Sequence, residues 1–139
     1  MPPTRELVEA LYEAFSVRDL EAVIALIDRK FVFRPAATAE LTNRPSYDGH
    51  AGMHQYFGDI ERVWAELRLV PQRFQPAGDS LLVLGRVYAR TTAGALIDTP
   101  AGWVWEGRAG KLTRCSAYQS HAEALEAVGL SEQDAHAGS

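Results

Sequence analysis

The sequence predicts an α+β domain: a curved antiparallel sheet with helices packed on its concave face, cone-shaped overall. Three observations predict it. Strand-like runs in the second half are joined by tight turns, as hairpins of an antiparallel sheet are. Helical periodicities occupy most of the first half, so helices are grouped ahead of a strand meander. Finally, residues 101–130, AGWVWEGRAGKLTRCSAYQSHAEALEAVGL, read as strand, turn, strand, capped helix and stop.

The elements follow in order. Thr4 is placed to cap a first helix in which Leu7, Val8, Leu11, Tyr12 and Phe15 recur at helical spacing. Asp19 caps a second, whose apolar face is Leu20, Val23, Ile24 and Ile27. Phe31-Val32-Phe33 is a short strand, ended by Arg34-Pro35 because proline cannot donate to a ladder. Residues 36–48 form a loop, either a plain surface connection or the cover of a pocket mouth. The longest helix is expected from Gly49 to about Leu67, with Met53, Tyr56, Phe57, Ile60, Val63, Trp64 and Leu67 on one stripe.

The meander then runs through strands at residues 68–75, 81–90, 95–106 and 112–119, with Gly102 marking a bend or bulge. Ser120-x-x-Glu123 is a capping box for a last helix, and Gly129-Leu130 is its stop. Residues 1–130 thus form one domain, and residues 131–139 a polar tail that frays.

Composition narrows the function classes. The chain has 139 residues, 47% hydrophobic and 23% charged, which suits a globular domain with a substantial core. A net charge of −4 without a basic run argues against nucleic acid. No apolar run reaches the ~20 residues of a membrane span, and the start, MPPTREL, lacks the apolar core of a secretory leader. With a single cysteine, Cys115, the expectation is a soluble cytoplasmic protein. Cys115 reads as a small hydrophobe in a strand rather than a nucleophile. His50 and His54 share one helix face but lack the HExxH context, so no metal is expected. Dinucleotide, P-loop and nucleophile-elbow motifs are absent.

Several stretches carry a resemblance: residues 11–26 (LYEAFSVRDLEAVIAL), Tyr47-Asp48-Gly49, and Gly110-Lys111-Leu112-Thr113-Arg114 followed by Tyr118 and Glu123-Ala124-Leu125. Together they resemble the SnoaL-like family of the nuclear transport factor 2-like superfamily, whose fold is a cystatin-like roll. The resemblance runs roughly from Arg5 to Leu130. It implies an apolar pocket, and often a homodimer formed through the convex face of the sheet. Such a fold hosts isomerases, cyclases, dehydratases and non-catalytic modules alike. In the related ketosteroid isomerases, a tyrosine and a protonated carboxylic acid form an oxyanion hole, and an aspartate is the base. Laid on that pattern, Leu11 falls at the tyrosine with Tyr12 adjacent, Gly102 at the acid and Arg34 at the base, so that chemistry is not expected here.

The same placement turns Asp98, Pro100, Gly102 and Val104 towards the cavity, with Thr113, Cys115, Ala117 and Gln119 on the return strand. Asp98 is then either a desolvated acid/base or a solvated turn residue. The catalytic set expected is Asp98 as proton carrier, Arg34 as electrostatic clamp and Tyr12 as hydrogen-bond donor. The ligand-binding set is Phe15, Phe33, Tyr56, Trp64, Val104, Cys115, Ala117 and Gln119. With Val104 inside, Trp103 and Trp105 face outward, and an exposed indole pair predicts a partner subunit. Two functions remain open: metal-free and cofactor-free isomerisation, cyclisation or dehydration of a small hydrophobic compound, or a non-catalytic binding and dimerisation module of the same fold.

Overall fold

A computed structural model describes residues 1–36 and 45–131 of the chain. The elements are α1 (Arg5–Ser16), α2 (Leu20–Leu26), β1 (Ile27–Arg34), β2 (Tyr47–Asp48), α3 (Gly49–Val63), β3 (Trp64–Ala77), β4 (Ser80–Thr91), β5 (Leu96–Arg108), β6 (Lys111–Tyr118) and α4 (His121–Ala127). The strands form one curved, unclosed sheet in the order β2-β1-β6-β5-β4-β3. The fold is therefore the expected α+β roll. Most of the loop at residues 36–48 and of the tail at 131–139 lies outside the described residues. No described helix is long and apolar enough to cross a membrane.

Local chemistry sets the helix ends. The Thr4 side chain accepts from the Leu7 N–H at 3.2 Å, and that of Asp19 accepts from Ala22 at 3.1 Å. Between α1 and α2 the chain turns at Arg18, with φ +55°, and its guanidinium donates to the carbonyls of Phe15 and Leu67, each at 2.5 Å. That contact ties the helical corner to β3. The Ser120 hydroxyl accepts from Glu123 N–H at 3.1 Å, and Leu130 N–H closes back on the Leu125 carbonyl at 2.8 Å, as a Schellman stop does.

Three expectations about the fold are corrected. First, α3 ends at Val63 rather than near Leu67, because Trp64 already pairs with Thr91 and the β3–β4 ladder overrides the helical stripe. Second, the sheet is mixed: β1 lies parallel to β6, with Phe33 opposite Cys115. Third, α1–α3 cover the inner face of the sheet, whereas α4 packs on the outer one. There Leu82, Leu84, Ala124 and Leu125 form a second small core, joined by Val104, Tyr118 and Leu130.

Gly102 explains the last arrangement. It makes no bulge, pairing regularly with Leu84 and Tyr118. A Cβ there would stand 2.3 Å from the Ala124 Cβ, so the missing side chain is what lets α4 approach the sheet. Gly85 plays a similar part under β3, where a Cβ would meet the Val70 carbonyl oxygen at 2.0 Å, beside a register shift between Pro71 and Arg73. Bulges and bare backbone at such a place bend a sheet. His121 places Nε2 2.9 Å from the Gly85 carbonyl oxygen, as a donor.

Candidate functional site

Strand pairing assigns the two faces. Residues directly opposite in a ladder share a face. Trp103 pairs with Ala117 and Trp105 with Cys115, so all four look inward, towards α1–α3. Leu82 pairs with Val104, Leu84 with Gly102 and Tyr88 with Asp98, and these look outward. The sequence placement of β5 is thus off by one residue, which exchanges its whole inner and outer set. Trp103 and Trp105 are each 4% exposed, inside the core, and the exposed-indole argument for a partner subunit falls away. Val104 packs under α4 instead of lining the cavity.

Asp98 moves with them. It is 61% exposed and ion-paired with Arg86 at 2.8 Å on the outer face, where the pair raises the arginine's already high pKa further. The expected acid/base is a solvated surface carboxylate. Arg34 is exposed at the end of β1 and does not line the cavity. His50 Nε2 lies 3.3 Å from the Ile27 carbonyl oxygen while His54 is exposed, and no metal-holding cluster occurs among the described residues.

A cavity does lie between the inner face and the helices, in two lobes. The inner lobe, about 40 Å³, is walled by Tyr12, Phe15, Phe31, Trp105 and Cys115 among others. The outer lobe, about 80 Å³, is walled by Trp64, Val87, Ile97, Ala117 and, at its exposed end, Gln119. Phe33, Tyr56, Leu69 and Trp103 line both, so the two lobes adjoin across these side chains. Of the expected ligand-binding set, Phe15, Phe33, Tyr56, Trp64, Cys115, Ala117 and Gln119 are brought together here.

No charged side chain among the described residues lines either lobe. The polar groups are few. Tyr12 sits edge-on to Trp103 and Trp105, with centroids 5.5 and 5.6 Å away. Its hydroxyl oxygen accepts from Trp105 Nε1–H at 3.2 Å. Among the described residues none accepts the phenolic hydrogen itself. Burial pushes the Tyr12 phenol well above its ordinary pKa, with Cys115 adding to the shift and the Trp105 bond opposing it. Burial likewise raises the Cys115 thiol. Both are therefore neutral at physiological pH.

Sequence reasoning missed two features of this region. Asp59, 5% exposed, is the buried charged side chain among the described residues. It accepts from the Tyr47 hydroxyl at 2.7 Å and from Arg62 Nη2 at 2.7 Å. The Tyr47 ring in turn packs on Tyr56, 5.0 Å between centroids, so this network holds a cavity wall in place. The second is Trp64, whose buried Nε1 has no hydrogen-bond partner; the other such atom is Oε1 of Gln75.

The comparisons with known proteins agree with this fold. Residues 8–115 match the SnoaL-like domain family. No curated protein matched the chain. Among solved structures, an NTF2-like protein of unknown function from Burkholderia pseudomallei is 23% identical with a TM-score of 0.75, covering 89% of this chain and 95% of its own. TerC, co-crystallised with polyporic acid, is 24% identical with a TM-score of 0.74, covering 88% and 95%. A protein with a ketosteroid isomerase-like fold from Catenulispora acidiphila, in complex with trimethylamine, is 15% identical with a TM-score of 0.70, covering 91% and 95%. At these identities the likeness is one of fold.

Proposed function

Because the chain belongs to the SnoaL-like domain family, we propose that it binds and processes a small, neutral, hydrophobic compound in the two-lobed cavity, with Tyr12 donating to a ligand oxygen. One observation carries this reading. The Tyr12 oxygen is held by Trp105, and its own hydrogen has no acceptor among the described residues, in apolar surroundings. A donor so placed gains more from a ligand carbonyl than it would in water, and a carbonyl so held is polarised. Two proteins of the same fold, by their descriptions, were crystallised with small organic molecules, which supports a small molecule as the ligand.

Isomerisation, cyclisation and dehydration of a carbonyl compound can each proceed through such a polarised carbonyl by acid–base chemistry alone. The described lining holds no carboxylate or imidazole. Tyr12 is therefore assigned polarisation, and proton removal falls to water or to the substrate's own groups. That same lack of a base favours the second reading, a non-catalytic binding module. The cavity volumes are modest, so a ring-sized ligand enters with some turning of the lining side chains.

The test is a titration of the ¹⁵N-labelled protein with acetophenone. Binding should shift the resonances of cavity residues, and Tyr12→Phe should weaken it about two- to tenfold. Affinity unchanged by Tyr12→Phe removes the role of the phenol. Deuterium exchange from D₂O into the acetophenone methyl then separates the readings. Tyr12-dependent exchange above the buffer rate indicates catalysis, whereas binding without exchange indicates a binder.

A further inference from the structure

The Trp64 indole is the feature the reading above does not use. Trp64 stands at the junction where α3 becomes β3, its backbone N–H still bonded to the Ile60 carbonyl while its φ and ψ are already extended. The next ladder position is irregular, with a register shift between Trp64 and Glu66. Irregularities of this kind re-aim side chains and recur beside functional sites. Here the ring becomes a wall of the outer lobe, 6% exposed, and its Nε1–H is buried without an acceptor.

A buried donor without a partner is costly and rare enough to need a reason. The molecule supplies its own contrasts. Trp105, in the inner lobe, has its Nε1–H satisfied by Tyr12. Gln75, the other residue with an unpartnered buried atom, pairs with Leu82 on the outer face and lines neither lobe. Trp64 therefore combines an unspent donor with a place in the cavity wall. Each lobe thus has one wall residue with an unspent donor, Tyr12 in the inner and Trp64 in the outer, and no charged side chain among the described residues lines either.

We propose that Trp64 is the second recognition donor, and that the site selects neutral hydrophobic compounds carrying two oxygen acceptors at opposite ends of a ring, one seated in each lobe. A diketone or quinone-like ring has this chemistry; a carboxylate does not, since no cation among the described residues lines the cavity. The proposal rests on the Tyr12 reading for its inner anchor. Nε1 itself is buried, so seating the outer oxygen requires the lobe wall to yield beside Trp64.

The probes are acetophenone, with one carbonyl, and 1,4-diacetylbenzene, with one at each end. Dissociation constants come from chemical-shift titration of the wild type, Trp64→Phe and Tyr12→Phe. The diketone should bind the wild type about three- to tenfold more tightly than acetophenone, and Trp64→Phe should erase that margin while leaving acetophenone within about twofold. The Trp64 indole N–H resonance of the wild type should move downfield with the diketone and stay nearly still with acetophenone, a readout that survives even if Trp64→Phe fails to fold. A margin that persists in Trp64→Phe, or an indole resonance indifferent to the diketone, overturns the role of Trp64 and leaves Tyr12 untouched. Acetophenone binding indifferent to Tyr12→Phe overturns the inner anchor, and with it the two-donor site.

Discussion

Trp105 donates its indole N–H to the Tyr12 hydroxyl oxygen over 3.2 Å, joining α1 to β5 across 93 residues of sequence. The bond lies in the apolar interior, and both residues are almost wholly buried. Tyr12→Phe should therefore leave the Trp105 N–H unpaired and cost about 1–3 kcal/mol of stability, read from urea unfolding. Trp105→Phe in the Tyr12→Phe background should cost less than it does alone, since the pair is already broken. Additive losses would mean that the bond contributes nothing of its own.

The alkaline limb of stability should be set by the buried Cys115 and Tyr12. Both have pKa values raised by folding, so the unfolded chain loses their protons first. Stability from this source is fully present below the unfolded thiol pKa of about 8.5 and declines as pH rises beyond it. Cys115→Ala should postpone the decline to the tyrosine range near pH 10. Thiol titration with an aromatic disulfide should find Cys115 unreactive until the chain unfolds; fast labelling of the native protein would contradict its burial.

Gly102 and Ala124 make a steric prediction. Gly102→Ala places a methyl 2.3 Å from that of Ala124 and should destabilise the domain by about 1–3 kcal/mol, chiefly by lifting α4. Adding Ala124→Gly should recover part of the loss by making room. Thermal unfolding of the four proteins checks the coupling, and its absence would show that α4 is held by something other than this contact.

Asp98→Asn should leave acetophenone affinity, any ketone exchange and the unfolding midpoint unchanged within error. The Asp98–Arg86 pair stands in solvent on the far side of the sheet from the cavity, where ion pairs are screened. A loss of exchange in this variant would restore the carboxylate to the mechanism.

The chain announces its elements better than its faces. The caps at Thr4, Asp19 and Ser120 and the turn at Ala109-Gly110 are local, and local chemistry decides them. Strand parity is different. In β5 each side carries plausible cavity residues: Asp98, Gly102 and Val104 on one, Ile97, Ala101, Trp103 and Trp105 on the other. One residue of misplacement exchanges them. The cross-strand neighbours held the answer, because Cys115 and Ala117 share a face with the tryptophans and not with Val104. Asp59 was unreadable for a related reason: on a helix it looks like any surface carboxylate until Tyr47, brought over by β2, comes to rest against it. The unpaired indole of Trp64 is a property of its surroundings, which no single residue type reveals.

The parallel seam between β1 and β6 sets an order on folding. The ribbon from β3 to β6 can assemble by successive neighbouring hairpins, each closing a short loop. Beyond the two residues of β2, β1 has β6 as its one sheet neighbour, and β6 is the last strand made. A nascent chain therefore carries β1 without its long ladder partner until residues 111–118 arrive, and a chain stopped before Lys111 keeps it so. Closure of that seam is the event that converts a meander into a vessel.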